Sequence, residues 1–215
     1  MLILLDIDGT LVDTNYLHVD AWARAFHAVG LVVPRAAIHR QIGKGSDQFL
    51  PRFVKDPKAA ERADALHLEE YGKLAAFGFA LPGARELLEM LREGGHQLWM
   101  ATSAKPEEIA QRLDALGVRE EILAGIVSSG DVKRSKPYPD IFLEACKRAH
   151  GELDKTLVIG DTAWDMEAAR AAGLRAAAVL TGGAFSRTEL VAAGAHAVYE
   201  DCAEMVARRF PRELT

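Results

Sequence analysis

The sequence predicts an α/β fold in which a doubly wound parallel sheet carries one small helical insertion. Short apolar runs alternate with amphipathic segments of roughly ten residues, a pattern typical of β-α units on a parallel sheet. Residues 15–79 break this alternation, because they show helical periodicity and turns but no strand pattern. We therefore expect residues 1–14 and 80–215 to form an α/β core, and residues 15–79 to form an inserted helical subdomain, the helical insertion.

The elements of the core are predicted from the spacing of apolar residues. Runs that could be fully buried strands lie at 2–5, 97–101, 157–159 and 176–180, with a weaker candidate at 122–127. Helical periodicity covers residues 86–91, 106–116, 140–149 and 165–172. Glycines and a proline at 9–14 and 78–83 flank the helical insertion and suit a two-stranded linker or a hinge.

The composition excludes several classes of protein. Of the 215 residues, 49% are apolar and 27% are charged, which excludes a disordered chain and a fibrous repeat. The formal net charge of −5 argues against a general nucleic-acid or anionic-membrane binder. Any site for an anion must therefore be local.

The two cysteines and the apolar runs of the sequence indicate the cellular compartment in which the protein is expected. Cys146 and Cys202 lie outside any C-x-x-C pattern, so neither zinc nor a disulfide framework is indicated, and a reducing compartment is favoured. Residues 1–5 are apolar but contain no basic n-region, and Asp6 and Asp8 interrupt the run, so we expect no export signal there. No apolar run reaches the roughly 18 residues of a membrane span. We expect a cytoplasmic protein with no nucleic-acid or membrane partner, and the oligomeric state stays open.

Two carboxylates follow the first predicted strand. Asp6 and Asp8 belong to the sequence D-x-D-G-T, and strand alternation places them on the same side. Ligand sites of parallel sheets collect at the carboxyl ends of strands. Two carboxylates this close repel each other unless a cation or proton lies between them, and oxygen ligands favour Mg²⁺. The alternative is a turn whose acids cap the next segment, since Asp-Gly is a common turn pair.

Three further polar motifs follow other predicted strands. Thr102 and Ser103 could offer hydroxyl and backbone N–H groups to a phosphate, although such a pair is also an ordinary helix cap. Lys136 lies in the loop S-K-P-Y-P-D, where it could neutralise a phosphate or simply be solvated. Asp161 and Asp165 form a second pair of acids in G-D-x-x-x-D, of which Asp161 could also be an N-cap.

The helical insertion contains a basic stretch. Residues 35–58 hold six Lys/Arg against two acids, a local charge of +4 in an acidic protein. Within it, Arg40 and Lys44 flank a glycine turn and offer positive charge to a second anionic group of a substrate. A solvated helix face is the alternative.

The four motifs occur in one order, namely D-x-D-G-T, a strand-end Thr-Ser, a K-P loop and G-D-x-x-x-D. In this combination the chain resembles the haloacid dehalogenase-like (HAD) hydrolase superfamily over nearly its whole length. The resemblance implies a Rossmann-like core. The helical insertion resembles the small cap of the subgroup that includes phosphoglycolate phosphatase and β-phosphoglucomutase.

The resemblance also implies a role for each motif residue. Asp6 would attack a phosphoryl group to form an aspartyl-phosphate, and Asp8 would protonate the leaving oxygen and later activate water. Mg²⁺ would be bound by the Asp6 side chain, the Asp8 backbone carbonyl and Asp161, with Asp165 in support, directly or through water. The phosphoryl oxygens would be held by Thr102, Ser103 and Lys136.

Two branches of the superfamily are disfavoured by single residues. Dehalogenases of this superfamily lack the second acid of the first motif, whereas Asp8 is present here. Phosphonoacetaldehyde hydrolases use a cap lysine as a Schiff-base amine, but Lys44 lies in a G-K-G turn unlike that family's pattern. Phosphorus chemistry on an ester is therefore favoured.

β-Phosphoglucomutase is the alternative that the sequence excludes least easily. Thr14, His18 and Trp22 match its pattern T-x-x-x-H-x-x-x-W, and Lys105 lies where it has a lysine. His18 and Trp22 could equally pack on one helix face, since residues four apart share a face. Against the mutase, its fourth motif has a Glu-Asp pair where this chain has Gly160 before the aspartate, so the extra metal ligand is missing.

The insertion's glycine turn also favours a phosphatase. Gly43 and Gly45 surround Lys44 in R-Q-I-G-K-G, which looks more like the phosphatases of the subgroup, whose glycine turn lets backbone approach the substrate. We expect this turn, together with His18 and Arg40, to contact the substrate.

The sequence thus predicts a Mg²⁺-dependent phosphatase that acts on a small phosphorylated metabolite. A non-catalytic phospho-metabolite sensor on the same fold would be expected to lose Asp6 or Asp8, and both are present. Which metabolite is bound cannot be predicted, because residues of the insertion select it.

Overall fold

The computed structural model describes residues 1–211 of the chain. Its strands are β1 (Leu2–Leu5), β2 (Gln97–Ala101), β3 (Gly125–Val127), β4 (Thr156–Gly160), β5 (Arg175–Val179) and β6 (Ala197–Tyr199). They form a single six-stranded sheet in the order β3-β2-β1-β4-β5-β6, and each neighbouring pair is parallel. In this doubly wound order the direction of strand addition reverses between β1 and β4, the place where such sheets bind ligands.

Helices occupy both the insertion and the core. The helical insertion contains α1 (Asn15–Ala28), α2 (Arg35–His39), α3 (Ser46–Phe49) and α4 (Pro57–Leu74). The core helices are α5 (Ala84–Glu93), α6 (Pro106–Leu116), α7 (Asp140–Ala149), α8 (Ala163–Ala171), α9 (Arg187–Ala193) and α10 (Cys202–Ala207). Within residues 1–211, none of the helices combines the length and the apolar character needed to cross a membrane.

Both faces of the sheet are covered because side chains alternate along its strands. Leu2 and Leu4 pack into an apolar cluster with residues of α7, α8 and α9. Ile3 and Leu5 point to the opposite face and pack with residues of α5, α6 and α10. All four side chains are buried, which explains why β1 appears in the sequence as a continuous apolar run.

The helical insertion has an apolar cluster of its own. It is built by residues of α1, α2, α3 and α4 and the turns between them, with Trp22, Phe26 and Phe49 as its large side chains. Two backbone hydrogen bonds join the segments that connect the insertion to the core, from the Asp13 N–H to Phe79 and from the Leu81 N–H to Leu11. The predicted two-stranded linker is therefore present.

The predicted core elements agree with the structure except for one strand that is shorter than expected, while β6, α9 and α10 have no counterpart in the prediction. The four main strands are found within one residue of their predicted bounds. The weaker candidate at 122–127 is a strand only from Gly125 onward, because residues 120–122 form a 3₁₀ turn. Strand β6 was not predicted, since its three residues at the sheet edge are too few to show a periodicity.

The insertion's cluster should contribute measurably to stability. Phe26 is fully buried, so Phe26→Ala is expected to lower the free energy of unfolding by about 3–5 kcal/mol through lost burial and the cavity left behind. Phe77→Ala is the matched control, because that ring is 69% exposed, and it should change the free energy by about 0.5 kcal/mol or less. Urea denaturation followed by circular dichroism measures both, and equal losses would contradict the packing described.

Candidate active site

The predicted motifs converge where the central strands end. Asp6 follows β1, Thr102 follows β2 and Asp161 follows β4, so all three lie at the carboxyl edge of the sheet. A cavity of about 250 Å³ separates this edge from the helical insertion. The predicted site residues that line it are Asp6, Asp8, His18, Gly43, Lys44, Gly45, Thr102 and Ser103.

Three carboxylates and one lysine form a buried cluster next to the cavity. Oxygens of Asp6, Asp161 and Asp165 lie within 4.8 Å of one another, and all three residues are buried. Lys136 Nζ lies 2.8 Å from Asp6 Oδ1 and 2.6 Å from Asp165 Oδ1. Thr162 donates its backbone N–H and its hydroxyl to Asp165 Oδ2, so both oxygens of Asp165 are engaged.

The charges of this cluster do not balance, since one ammonium faces three carboxylates. Burial raises the pKa of Asp6 to about 7, against the opposing effect of Lys136. Burial also raises the pKa of Asp161, and repulsion by Asp165 and Asp6 adds to the rise. Burial alone would lower the pKa of Lys136, but its contacts with Asp165 and Asp6 outweigh this and raise it.

This excess of buried negative charge fits a divalent cation. Among the described residues, the donors to the Asp161 carboxylate are neutral, namely the Thr10 hydroxyl at 2.9 Å from Oδ1 and the Asn15 amide at 3.1 Å from Oδ2. The available ligands are carboxylate oxygens, which Mg²⁺ prefers. Asp6 and Asp161 therefore fit the predicted Mg²⁺ site. Asp165 lies beside them and fits a supporting place in the same site.

Asp8 lies in a separate environment. Its Oδ1 accepts hydrogen bonds from Thr14 Oγ1 at 2.5 Å and from Arg112 Nε at 2.6 Å, and His18 Nε2 lies 3.6 Å away. Burial would raise the pKa of Asp8, but the Arg112 guanidinium outweighs burial and holds this pKa well below its usual range. Because this carboxylate contacts α1 and α6 and not the acidic cluster, only its backbone carbonyl remains a candidate metal ligand.

The two predicted hydroxyl residues have different partners. Thr102 is buried, and its Oγ1 accepts a hydrogen bond from the Ala104 N–H at 3.1 Å, which leaves its own proton to donate. Ser103 Oγ donates to the Gly43 carbonyl at 3.0 Å. The Ser103 hydroxyl therefore connects the core to the insertion.

The glycine turn of the insertion packs directly on core loops. A Cβ at Gly43 would lie 2.8 Å from Thr162 Cγ2, and a Cβ at Gly45 would lie 2.7 Å from Ser135 Cβ. The Gly45 N–H donates to Ser135 Oγ at 2.9 Å. Gly43 also has φ 95°, a left-handed conformation that favours glycine. Any larger side chain at either position would push the turn off the core.

The two predicted cationic residues of the insertion point in different directions. Lys44 lines the cavity, with Nζ 3.6 Å above the Trp164 ring and 2.9 Å from Gln41 Oε1. Partial burial lowers the pKa of Lys44. Arg40 is exposed and pairs with Glu189 Oε1 at 2.8 Å, and it does not line the cavity. The structure thus brings Lys44, but not Arg40, to the candidate site.

Two residues of the site were not predicted from the sequence. Arg112 lies on the apolar stripe of α6 with Ile109, Leu113 and Leu116, so an arginine at a core-facing helix position was the available signal. Asn15, which donates to Asp161, has no comparable signal, because its role depends on a residue 146 positions away.

The space around Asp161 offers a test of the metal site. A Cβ at Gly182 would lie 1.7 Å from Asp161 Oδ2, so Gly182→Ala must displace that carboxylate. We expect Mg²⁺ binding to weaken by at least tenfold, about 1.4 kcal/mol, measured by the Mg²⁺-dependent shift of the unfolding temperature. Gly72→Ala is the control, because an added Cβ there meets nothing within 4 Å. Equal Mg²⁺ affinity in the two variants would contradict the assignment.

Comparison with known proteins places the chain in a family. A phosphoglycolate phosphatase of Cupriavidus necator is 30% identical over 179 residues, which cover 80% of this chain and 77% of that protein. Protein SUPPRESSOR OF QUENCHING 1 of Arabidopsis thaliana is 33% identical over 83% of this chain, which spans only 18% of that protein's length. The crystal structure of a hydrolase from Pseudomonas syringae has a TM-score of 0.90 at 36% identity, covering 96% of each chain. Residues 1–173 match the family model for haloacid dehalogenase-like hydrolases, and the chain belongs to that family.

Proposed function

We propose that the protein is a Mg²⁺-dependent phosphatase that hydrolyses a small phosphate monoester through an aspartyl-phosphate on Asp6. The observation that carries this proposal is the position of Asp6, which lines the cavity and is held by Lys136 inside a buried acidic cluster. The similarity to a phosphoglycolate phosphatase supports the same reaction class.

In the first half of the reaction, an Asp6 oxygen attacks the phosphorus atom. A bond forms from phosphorus to Asp6, the bond from phosphorus to the ester oxygen breaks, and Asp8 gives a proton to that leaving oxygen. Mg²⁺ bound by Asp6, Asp161 and the Asp8 carbonyl, with Asp165 in support, would neutralise charge on the phosphoryl oxygens.

In the second half, water attacks the phosphorus atom of the aspartyl-phosphate. Asp8 takes a proton from that water, and the bond from phosphorus to Asp6 breaks with its electron pair returning to the carboxylate. The separate environments of Asp6 and Asp8 support this division of labour, because nucleophile and proton carrier are held by different cations, Lys136 and Arg112.

The phosphoryl group is proposed to contact three residues. Thr102 lines the cavity with a hydroxyl proton free to donate. Ser103 would use its backbone N–H, since its hydroxyl is engaged with Gly43. Lys136 lies beside Asp6 and would neutralise an oxygen of the transferred group.

A mutase is the second candidate, and one contact disfavours it. The mutase pattern requires an acid in place of Gly160, but a Cβ at this position would lie 2.6 Å from Asp165 Cβ. No side chain fits there without moving Asp165, whose oxygens hold Lys136 and Thr162. This packing favours hydrolysis over transfer to a second substrate oxygen.

The cavity favours a small substrate. Its volume of about 250 Å³ is below the roughly 300–1,000 Å³ of pockets that take drug-sized ligands. Trp22, Ile42 and Phe49 give it an apolar wall, and Lys44 is a cation of the insertion on its lining. We propose that Lys44 binds a second anionic group of the substrate, on the part of the ester that leaves when the bond to phosphorus breaks.

The nucleophile is tested by Asp6→Asn. An amide is neither an anionic nucleophile nor a good Mg²⁺ ligand, so phosphate release from a panel of phosphorylated metabolites should fall by about 10³-fold or more, roughly 4 kcal/mol. Asp154→Asn, on an exposed residue, is the control and should keep full turnover. Retention of more than a tenth of wild-type turnover in Asp6→Asn would exclude Asp6 as the nucleophile.

The role of Lys44 is tested by comparing two substrates. Lys44→Ala should lower kcat/KM for the best metabolite of the panel by more than tenfold, about 1.4 kcal/mol, and barely affect 4-nitrophenyl phosphate, which lacks a second anion. Arg40→Ala is the matched control, because its guanidinium pairs with Glu189 outside the cavity. Equal losses of kcat/KM on both substrates would mean that Lys44 binds the phosphoryl group. Unchanged kcat/KM on both would mean that Lys44 takes no part in substrate binding.

A further inference from the structure

Arg112 is a fully buried cation on the lining of the cavity. Its side chain is 1% exposed and is the largest of the fully buried side chains in the part of the chain that the structure describes. The guanidinium is held on its own helix by the Glu108 backbone carbonyl, which accepts from Nη1 at 3.0 Å. A buried arginine costs desolvation energy unless it is paired, so its partners indicate what it does.

The pairing of Arg112 with Asp8 leaves one carboxylate oxygen unused. Within residues 1–211, the contacts of the Asp8 carboxylate fall on Oδ1, from Arg112 Nε at 2.6 Å and Thr14 Oγ1 at 2.5 Å. Asp8 also lines the cavity, and its side chain is 12% exposed. With Oδ1 anchored, Oδ2 is the oxygen that can exchange a proton with a bound substrate or water.

Arg112 also connects the core to the insertion. Its Nη2 donates to His18 Nε2 at 2.8 Å, and its guanidinium lies 4.9 Å from the centre of the Tyr71 ring. Because an arginine can only donate, His18 Nε2 is the acceptor in this contact. His18 Nδ1 in turn lies 3.1 Å from His67 Nε2 of α4. The docked insertion thereby sets the orientation of the guanidinium.

We propose that Arg112 is a positioning residue that anchors Oδ1 of Asp8 and so presents Oδ2 to the attacking water when the insertion is docked. The inference rests on the proposed function, since it concerns the hydrolysis of the aspartyl-phosphate. In that step the water oxygen bonds to phosphorus, the bond from phosphorus to Asp6 breaks, and the water proton moves to Asp8 Oδ2. Without the anchor the carboxylate can rotate, so fewer molecules have Oδ2 in place.

The test follows the decay of the phosphoenzyme in the full-length protein. Enzyme in excess is mixed with 4-nitrophenyl phosphate and Mg²⁺, quenched with acid at timed intervals, and analysed by intact mass for the phosphorylated fraction. Wild type, Arg112→Met, Asp8→Asn and the double variant are compared. This substrate has a good leaving group, so the phosphoenzyme forms even when proton donation is impaired.

The expected result is a non-additive cycle. Arg112→Met should slow the decay of the phosphoenzyme by at least tenfold, with KM changed less than threefold. Because Arg112 acts through Asp8, the decay rate of the double variant should lie within threefold of the rate of Asp8→Asn alone. Arg112→Lys keeps the charge but lacks the planar fork, so it should restore part of the rate. If Arg112→Met does not fold, Arg112→Lys is carried through the same cycle.

Two outcomes would overturn the role of Arg112. The first is a phosphoenzyme of Arg112→Met that decays at the wild-type rate. The second is a phosphoenzyme of the double variant that decays at least tenfold more slowly than that of Asp8→Asn, because this would show an effect of Arg112 that is independent of Asp8. Arg119→Ala, on an exposed residue just after α6, is the control and should behave as wild type. Absence of phosphoenzyme in every variant, Asp8→Asn included, would count against the proposed function itself.

Discussion

The structure depends on holding three carboxylates together out of water. Oxygens of Asp6, Asp161 and Asp165 lie within 4.8 Å of one another, and the Lys136 ammonium contacts both Asp6 and Asp165. Such a group is stable only where every remaining oxygen is hydrogen-bonded or bound to a cation. The end of β1 beside β4 provides this environment, since several backbone loops and both helical layers meet there.

Asp6 and Asp8 show how neighbouring residues of one strand end acquire different chemistry. Asp6 faces the acidic cluster, where burial raises its pKa to about 7. Asp8 faces Arg112, which outweighs burial and lowers its pKa. Pairs of acids whose environments push their pKa values apart are the usual basis for separate roles. The helical insertion takes part in this separation, since His18 contacts both Asp8 and Arg112.

The helical insertion is held to the core by polar contacts around the cavity. Ser103 binds the Gly43 carbonyl, Ser135 binds the Gly45 N–H, and Lys105 pairs with Asp64 of α4 at 2.8 Å. The insertion's apolar cluster is built from its own residues, so the insertion can keep its internal packing if these contacts separate. The same loops that hold the insertion also carry the residues proposed to bind the phosphoryl group.

The sequence by itself determined the order of the core elements, the acids at the ends of β1 and β4 and the place of Lys136, because buried parallel strands and strand-end motifs are local patterns. Only the tertiary structure decided which charges meet. Arg112 contacts Asp8 across 104 positions and Asn15 contacts Asp161 across 146, and no local pattern encodes such pairs. Arg40 and Lys44 look equivalent in the sequence, yet the path of the glycine turn over Thr162 and Ser135 brings only Lys44 to the cavity, because side-chain direction depends on backbone packed from elsewhere in the chain.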